Sequence, residues 1–153
     1  MTINKIDYTN YNFFVFDLDY TLHLHNFQTQ VYNEKLIELL NVLKKHNKIL
    51  CIATHNKNPV SYLKQINIEN FFDEIISEKK NVCCWLNSIK DFTSKKVMLT
   101  EIIDKYNCNT NEIIFFDDSI HNINEVKSLG INSILVSDKI GINIDEILCE
   151  FNK

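Results

Sequence analysis

Five short apolar runs, each closing on polar residues, set the strongest limit on how this chain can fold. They are Phe13-Phe14-Val15-Phe16, Ile49 to Ala53, Phe72 to Ile76, Ile113 to Phe116, and Ile134 to Val136. Continuous apolar runs without alternation suit strands buried on both faces, as in a parallel sheet. Between them lie segments with helical spacing. In Val31 to Lys45, Leu36, Leu39, Leu40 and Leu43 fall on one stripe, while Glu34, Lys35, Glu38 and Lys44 fall outside it. Pro59 suits the first turn of a second helix over about 59–67. Ser94 is placed to cap a third, running to about Asn107. Ile120 to Leu129 reads as a fourth, stopped by Gly130, and about 143–151 as a fifth.

Strand alternating with helix predicts an α/β fold: a doubly wound, mostly parallel sheet in a Rossmann-like three-layer α/β/α sandwich. The 153 residues fit a single domain over 1–153, and 45% hydrophobic content suffices for a core without disulfides or a structural metal. The five cysteines are odd in number and lack CxxC or zinc-type spacing, which reads as reduced thiols of an intracellular protein. The adjacent pair Cys83-Cys84 has no supporting redox motif. The polar start from Met1 to Asn12 has no apolar signal region, and no apolar run approaches the ~20 residues of a membrane span. The expectation is a cytoplasmic protein with no membrane association. A net charge of −4 argues against a stable nucleic-acid partner.

In doubly wound sheets, sites lie beyond the carboxyl ends of the strands. The chain places Asp17 and Asp19 at one such end, Thr54 at a second, and Asp117-Asp118 at a third. In extended backbone, residues two apart point to the same side. Asp17 and Asp19 would then present two carboxylates together, one to attack or ligate metal and one to move a proton. A threonine at a strand end is usually a helix cap. In this company Thr54 reads as a donor to a phosphoryl oxygen, with His55 and Asn56 at the mouth of the site. Adjacent buried acids repel, and a cation removes the conflict. Asp17 with Asp117 supplies the carboxylates that Mg2+ needs, phosphate and water completing its shell. A lysine is required to neutralise a phosphoryl group. Lys96, or Lys95 beside it, stands at the start of the third helix, with Lys79 and Lys80 as outside alternatives. His23 and His25 form an HxH pair too small to be a metal set, and read as polar loop residues.

In that order, these residues resemble the motifs of the haloacid dehalogenase-like superfamily, from about Asn12 to Val136. The segment Asp17-Leu18-Asp19-Tyr20-Thr21-Leu22 and the run Phe115-Phe116-Asp117-Asp118, extended by Asn122-Ile123, look like its small eukaryotic magnesium-dependent phosphatases. The chain departs from these after Leu22, where they tend to carry a Trp and a Pro-containing loop. The resemblance implies a phosphatase in which Asp17 is the nucleophile and Asp19 the acid and base. It implies that Thr54, His55 and Lys96 hold the phosphoryl group. It places Mg2+ on Asp17, the Asp19 carbonyl, Asp117 and Asp118. Thr21 to Ile49 and Thr54 to Lys96 are too short for the cap domain of larger members. The expected partner is a phosphorylated substrate: a phosphoprotein, a phosphosugar or a nucleic-acid end. Alternatives are a non-catalytic binding module of the same fold, and a polynucleotide 3′-phosphatase. A receiver-type signalling domain is disfavoured because its acidic pair belongs on the first strand.

Overall fold

The computed structural model describes residues 4–78 and 93–153. Five parallel strands form one sheet in the order β3-β2-β1-β4-β5: β1 Phe13–Phe16, β2 Ile49–Thr54, β3 Glu74–Ser77, β4 Ile113–Asp117 and β5 Asn132–Leu135. Five α-helices follow the strands or precede them: α1 Gln30–Lys45, α2 Pro59–Gln65, α3 Lys95–Tyr106, α4 Ile120–Lys127 and α5 Ile144–Phe151. The sheet is wound in both directions from β1, so the central strands β2, β1 and β4 are the apolar runs that read most clearly.

Alternation along each strand divides the core. Phe14, Phe16, Leu50, Ile52, Ile114 and Phe116 face one layer, where they meet the α1 leucines, Leu63 of α2, and Ile147 and Phe151 of α5. Phe13, Val15, Cys51, Ala53, Ile113 and Phe115 face the other, with Met98, Leu99 and Ile102 of α3 and Ile123 and Val126 of α4. Leu36, Leu39, Leu40 and Leu43 are fully buried, as their spacing requires. Helix starts are fixed by side chains: Thr29 accepts from the Tyr32 N–H, Ser94 from Val97 and Ser119 from Asn122. Among the described residues, no helix is long and apolar enough to cross a membrane.

The edge strands depart from their expected bounds. Phe72 precedes β3 and packs edge-on against Phe16, while the Asp73 carboxylate accepts from the Leu50 N–H at 2.9 Å. β5 starts earlier than its apolar run and ends at Leu135, which is 50% exposed. An edge strand is covered less completely, so its pairing is not marked by continuous apolar character. The expected irregular stretch at 78–93, with Lys79, Lys80, Cys83, Cys84 and Trp85, lies almost wholly outside the described residues.

Between β1 and α1 the chain forms a tight loop rather than a domain. The Leu18 carbonyl accepts from the N–H groups of Thr21, Leu22 and His23. Leu18, Leu22 and Leu24 are buried beneath it. Gly141, at φ +74°, closes against this loop from the segment after β5. An added Cβ would stand 2.7 Å from the Tyr32 hydroxyl oxygen and 2.8 Å from the Thr21 carbonyl oxygen. Those two atoms are themselves hydrogen-bonded at 3.1 Å, so neither has freedom to retreat. Gly141→Ala is expected to destabilise the fold by about 2–4 kcal/mol, from left-handed backbone strain plus overpacking. Urea unfolding measures this, and a loss under about 0.5 kcal/mol would contradict the packing described.

Candidate active site

Strand register assembles the site. Phe16 is level with Ile52 on one side and Phe116 on the other. One residue further, Asp17, Ala53 and Asp117 therefore stand in a row, and the Asp17 N–H continues the ladder to the Phe116 carbonyl at 2.9 Å. Asp17 follows Phe13 and Val15 in alternation, and Asp117 follows Ile113 and Phe115. Both side chains thus fall on the layer of α3 and α4.

Of the two candidate lysines, Lys95 faces that layer and Lys96 does not. Lys95 opens α3 and is fully buried. Its ammonium donates to Asp17 Oδ1 at 2.7 Å, stands 3.3 Å from Asp117 Oδ2, and donates to the Ala53 carbonyl. Lys96 is exposed. The sequence holds the reason: Lys95, Met98, Leu99 and Ile102 form one helical stripe, and Lys96 falls outside it.

Asp117 is held at both oxygens. Its Oδ1 accepts from the Ser119 N–H at 2.8 Å and its Oδ2 from the Asn122 amide at 3.1 Å. Asp118 is half-buried beside it. Carboxylate oxygens of Asp17, Asp117 and Asp118 lie within 4.8 Å of one another. Burial pushes Asp17 up to about 7, against the pull of the Lys95 charge and with the Asp117 charge adding to the rise. Burial and the Asp117 charge raise Asp118 as well. One ammonium does not neutralise three converging acids, so the cluster fits a divalent cation bound through oxygen.

Asp19 is separate from this cluster. After Leu18 the backbone curls, with Tyr20 at φ +60°, so the same-side rule for extended chain no longer governs. The Asp19 carboxylate instead meets His25 Nε2 at 2.7 Å and the Asn56 amide at 3.1 Å. Thr54 is buried, and its hydroxyl oxygen accepts from the Asn56 N–H at 3.0 Å. Thr54 thus closes the turn at the carboxyl end of β2. His55 is exposed and, with Glu78, Ser94, His121, Asn122 and Glu125, lines a cavity of about 460 Å3. Burial, then the Lys95 charge, lowers its pKa. His25, Asn56 and Asn122 contact the acids, although the sequence marks none of them for that task. Only the short separation of Asp117, which ends β4, from Asn122, in the first turn of α4, hints at one of these contacts.

The chain as a whole has matches among known proteins. Residues 9–136 fit the family described as haloacid dehalogenase-like hydrolase. The chain belongs to that family. Similar solved structures include a haloacid dehalogenase-like family hydrolase from Streptococcus pneumoniae, with 15% identity and TM-score 0.63, covering 93% of this chain and 91% of that one. A predicted phosphoglycolate phosphatase from Haemophilus somnus shares 13% identity with TM-score 0.59, covering 84% and 86%. A beta-phosphoglucomutase from Clostridium difficile shares 13% with TM-score 0.60, covering 93% and 97%. At such identities these likenesses establish the haloacid dehalogenase-like fold. A comparison with curated proteins gives no match.

A pH signature follows from Asp17. Its carboxyl titrates near 3.8 when unfolded and about 7 when folded without metal. Between those values the folded state keeps a proton that the unfolded state has lost, so stability falls as pH rises through this window. The amide of the Asp17→Asn variant does not titrate there. In metal-free buffer the stability difference between Asp17→Asn and the parent should shift in the variant's favour from about pH 4 to pH 7. Urea unfolding at several pH values reads it, and a constant difference would rule out a raised carboxyl.

Proposed function

We propose that this hydrolase is a magnesium-dependent phosphomonoesterase that works through an aspartyl-phosphate at Asp17. The observation that carries the reading is Lys95, buried against both Asp17 and Asp117 beside Asp118. A nucleophilic carboxylate and an anionic phosphoryl group repel, and a fixed cation beside the nucleophile removes that barrier. Asp17, Asp117, Asp118 and the Asp19 carbonyl would hold Mg2+. When bound, the ion supplies charge neutralisation to the phosphoryl oxygens.

The steps use this chain's own groups. Asp17 Oδ attacks phosphorus, and the ester P–O bond breaks with its electron pair going to the leaving oxygen. Asp19 gives that oxygen a proton. Asp19 then takes a proton from water, whose oxygen attacks phosphorus and releases Asp17 and inorganic phosphate. Lys95 and the Thr54 hydroxyl hold phosphoryl oxygens throughout, with His55 at the mouth. The substrate is a phosphomonoester. Among the described residues no second domain covers the site, which leaves it accessible to large or small carriers of the phosphate.

Phosphate release from a panel of alkyl and aryl phosphates tests the reading. Activity should vanish with a chelator and return with Mg2+. Asp17→Asn should lose at least ~10³ of the rate, as should Lys95→Ala, while Lys96→Ala stays within about threefold of the parent. Full activity in Asp17→Asn, or no hydrolysis of any ester by the folded parent with Mg2+, would exclude the proposal.

A further inference from the structure

The loop between β1 and α1 carries a histidine whose Nε2 reaches a carboxylate of the proposed site. His25 Nε2 meets Asp19 Oδ1 at 2.7 Å, while the Asn56 amide meets Asp19 Oδ2 at 3.1 Å. The carboxyl group is gripped at both oxygens, from two different segments. Resting on the phosphatase reading above, we propose that His25 is a positioning residue for Asp19, fixing the carboxyl group where it meets the leaving oxygen.

The loop is built to hold that ring still. His25 sits at φ +51°, a left-handed conformation that a non-glycine residue keeps only when its surroundings enforce it. Its N–H donates to His23 Nδ1 at 3.3 Å, and its carbonyl accepts from the Gln28 N–H at 3.0 Å. Its ring lies between others: Tyr20 at 4.8 Å between centroids, His23 at 4.4 Å and Tyr62 of α2 at 5.6 Å. Buried Leu24 anchors the backbone just before it. An aspartate on a turn, partly open to water, would otherwise sample several rotamers, and each departure from the leaving oxygen costs rate. Asn56 is likewise fixed, its N–H on the Thr54 hydroxyl and its Oδ1 accepting from the Asn58 N–H at 2.8 Å.

The leaving group decides how much this positioning matters. An alkoxide departs only as it receives a proton, whereas a nitrophenolate departs as the anion. His25→Phe keeps a planar ring against Tyr20, His23 and Tyr62 but has no nitrogen to bond Asp19. The ratio kcat/KM ends at departure of the first leaving group, so it isolates the step in question. His25→Phe should lower kcat/KM for an alkyl phosphate about 30-fold and for para-nitrophenyl phosphate less than about threefold. His25→Gln, which restores an N–H donor, should recover most of the alkyl activity. In an Asp19→Asn background His25→Phe should add no further loss, because the group it positions has lost its function. Equal losses on both esters, or an undiminished loss in that background, would overturn the inference while leaving the phosphatase reading intact. A folded parent that cleaves neither ester would overturn both.

Discussion

A single buried ammonium organises this molecule. Lys95 is sealed from solvent and bonded to Asp17, Asp117 and the Ala53 carbonyl, three groups from three adjacent strands. Lysine is almost never fully buried unless paired, and removing one partner from such a cluster costs about 3–5 kcal/mol. Its place in α3 is also unfavourable for the helix, since a cation in the first turn opposes the macrodipole. The acids offset both costs, so the lysine and the carboxylates are mutually dependent. That dependence in turn fixes the register of β2, β1 and β4, because a slip of one residue would turn Asp17 or Asp117 to the opposite layer. The site and the centre of the sheet are thus one constraint.

This explains which parts of the structure can be read from the chain. Runs such as Phe13 to Phe16 and Ile113 to Phe116 announce buried strands, and the leucine stripe announces α1. These signals arise from burial on whole faces, which leaves a period in the sequence. The acids at the strand ends were legible for the same reason: polar residues directly after buried runs have few ordinary explanations. The choice between Lys95 and Lys96 was also open to reading, since only Lys95 shares a stripe with Met98, Leu99 and Ile102. What decides is which side of α3 faces the sheet.

Other features leave no periodic trace. The edge strands β3 and β5 are bounded by pairing rather than by apolar runs, so their ends shift from the sequence reading. His25 and Asn56 meet at Asp19 from separate loops, and no spacing encodes that encounter. Tyr20 and His25 take positive φ in a loop whose Leu18 carbonyl gathers three N–H groups and against which Gly141 packs. Such strain is a property of the closed loop and its neighbours, which local sequence does not display.

The two halves of the site are accordingly held by different means. Asp17, Lys95 and Asp117 lie at the layer of α3 and α4 and are tied to strand register. Asp19 hangs from the loop before α1, and its partners come from that loop and from the turn before α2. Under the proposed chemistry, the first group handles the phosphoryl centre, which is the same in every phosphomonoester. The second handles the leaving group, which differs from one substrate to the next. Residues 21–24 of this loop are buried and belong with the core, whereas Tyr20 and residues 25–28 are not fully buried and can change with less effect on the sheet. A substitution at Tyr20 or in residues 25–28 can therefore alter how the leaving oxygen is met while Lys95 and its acids stay in place. The strands cannot vary in this way, since Asp17 keeps its position only while β1 keeps its neighbours.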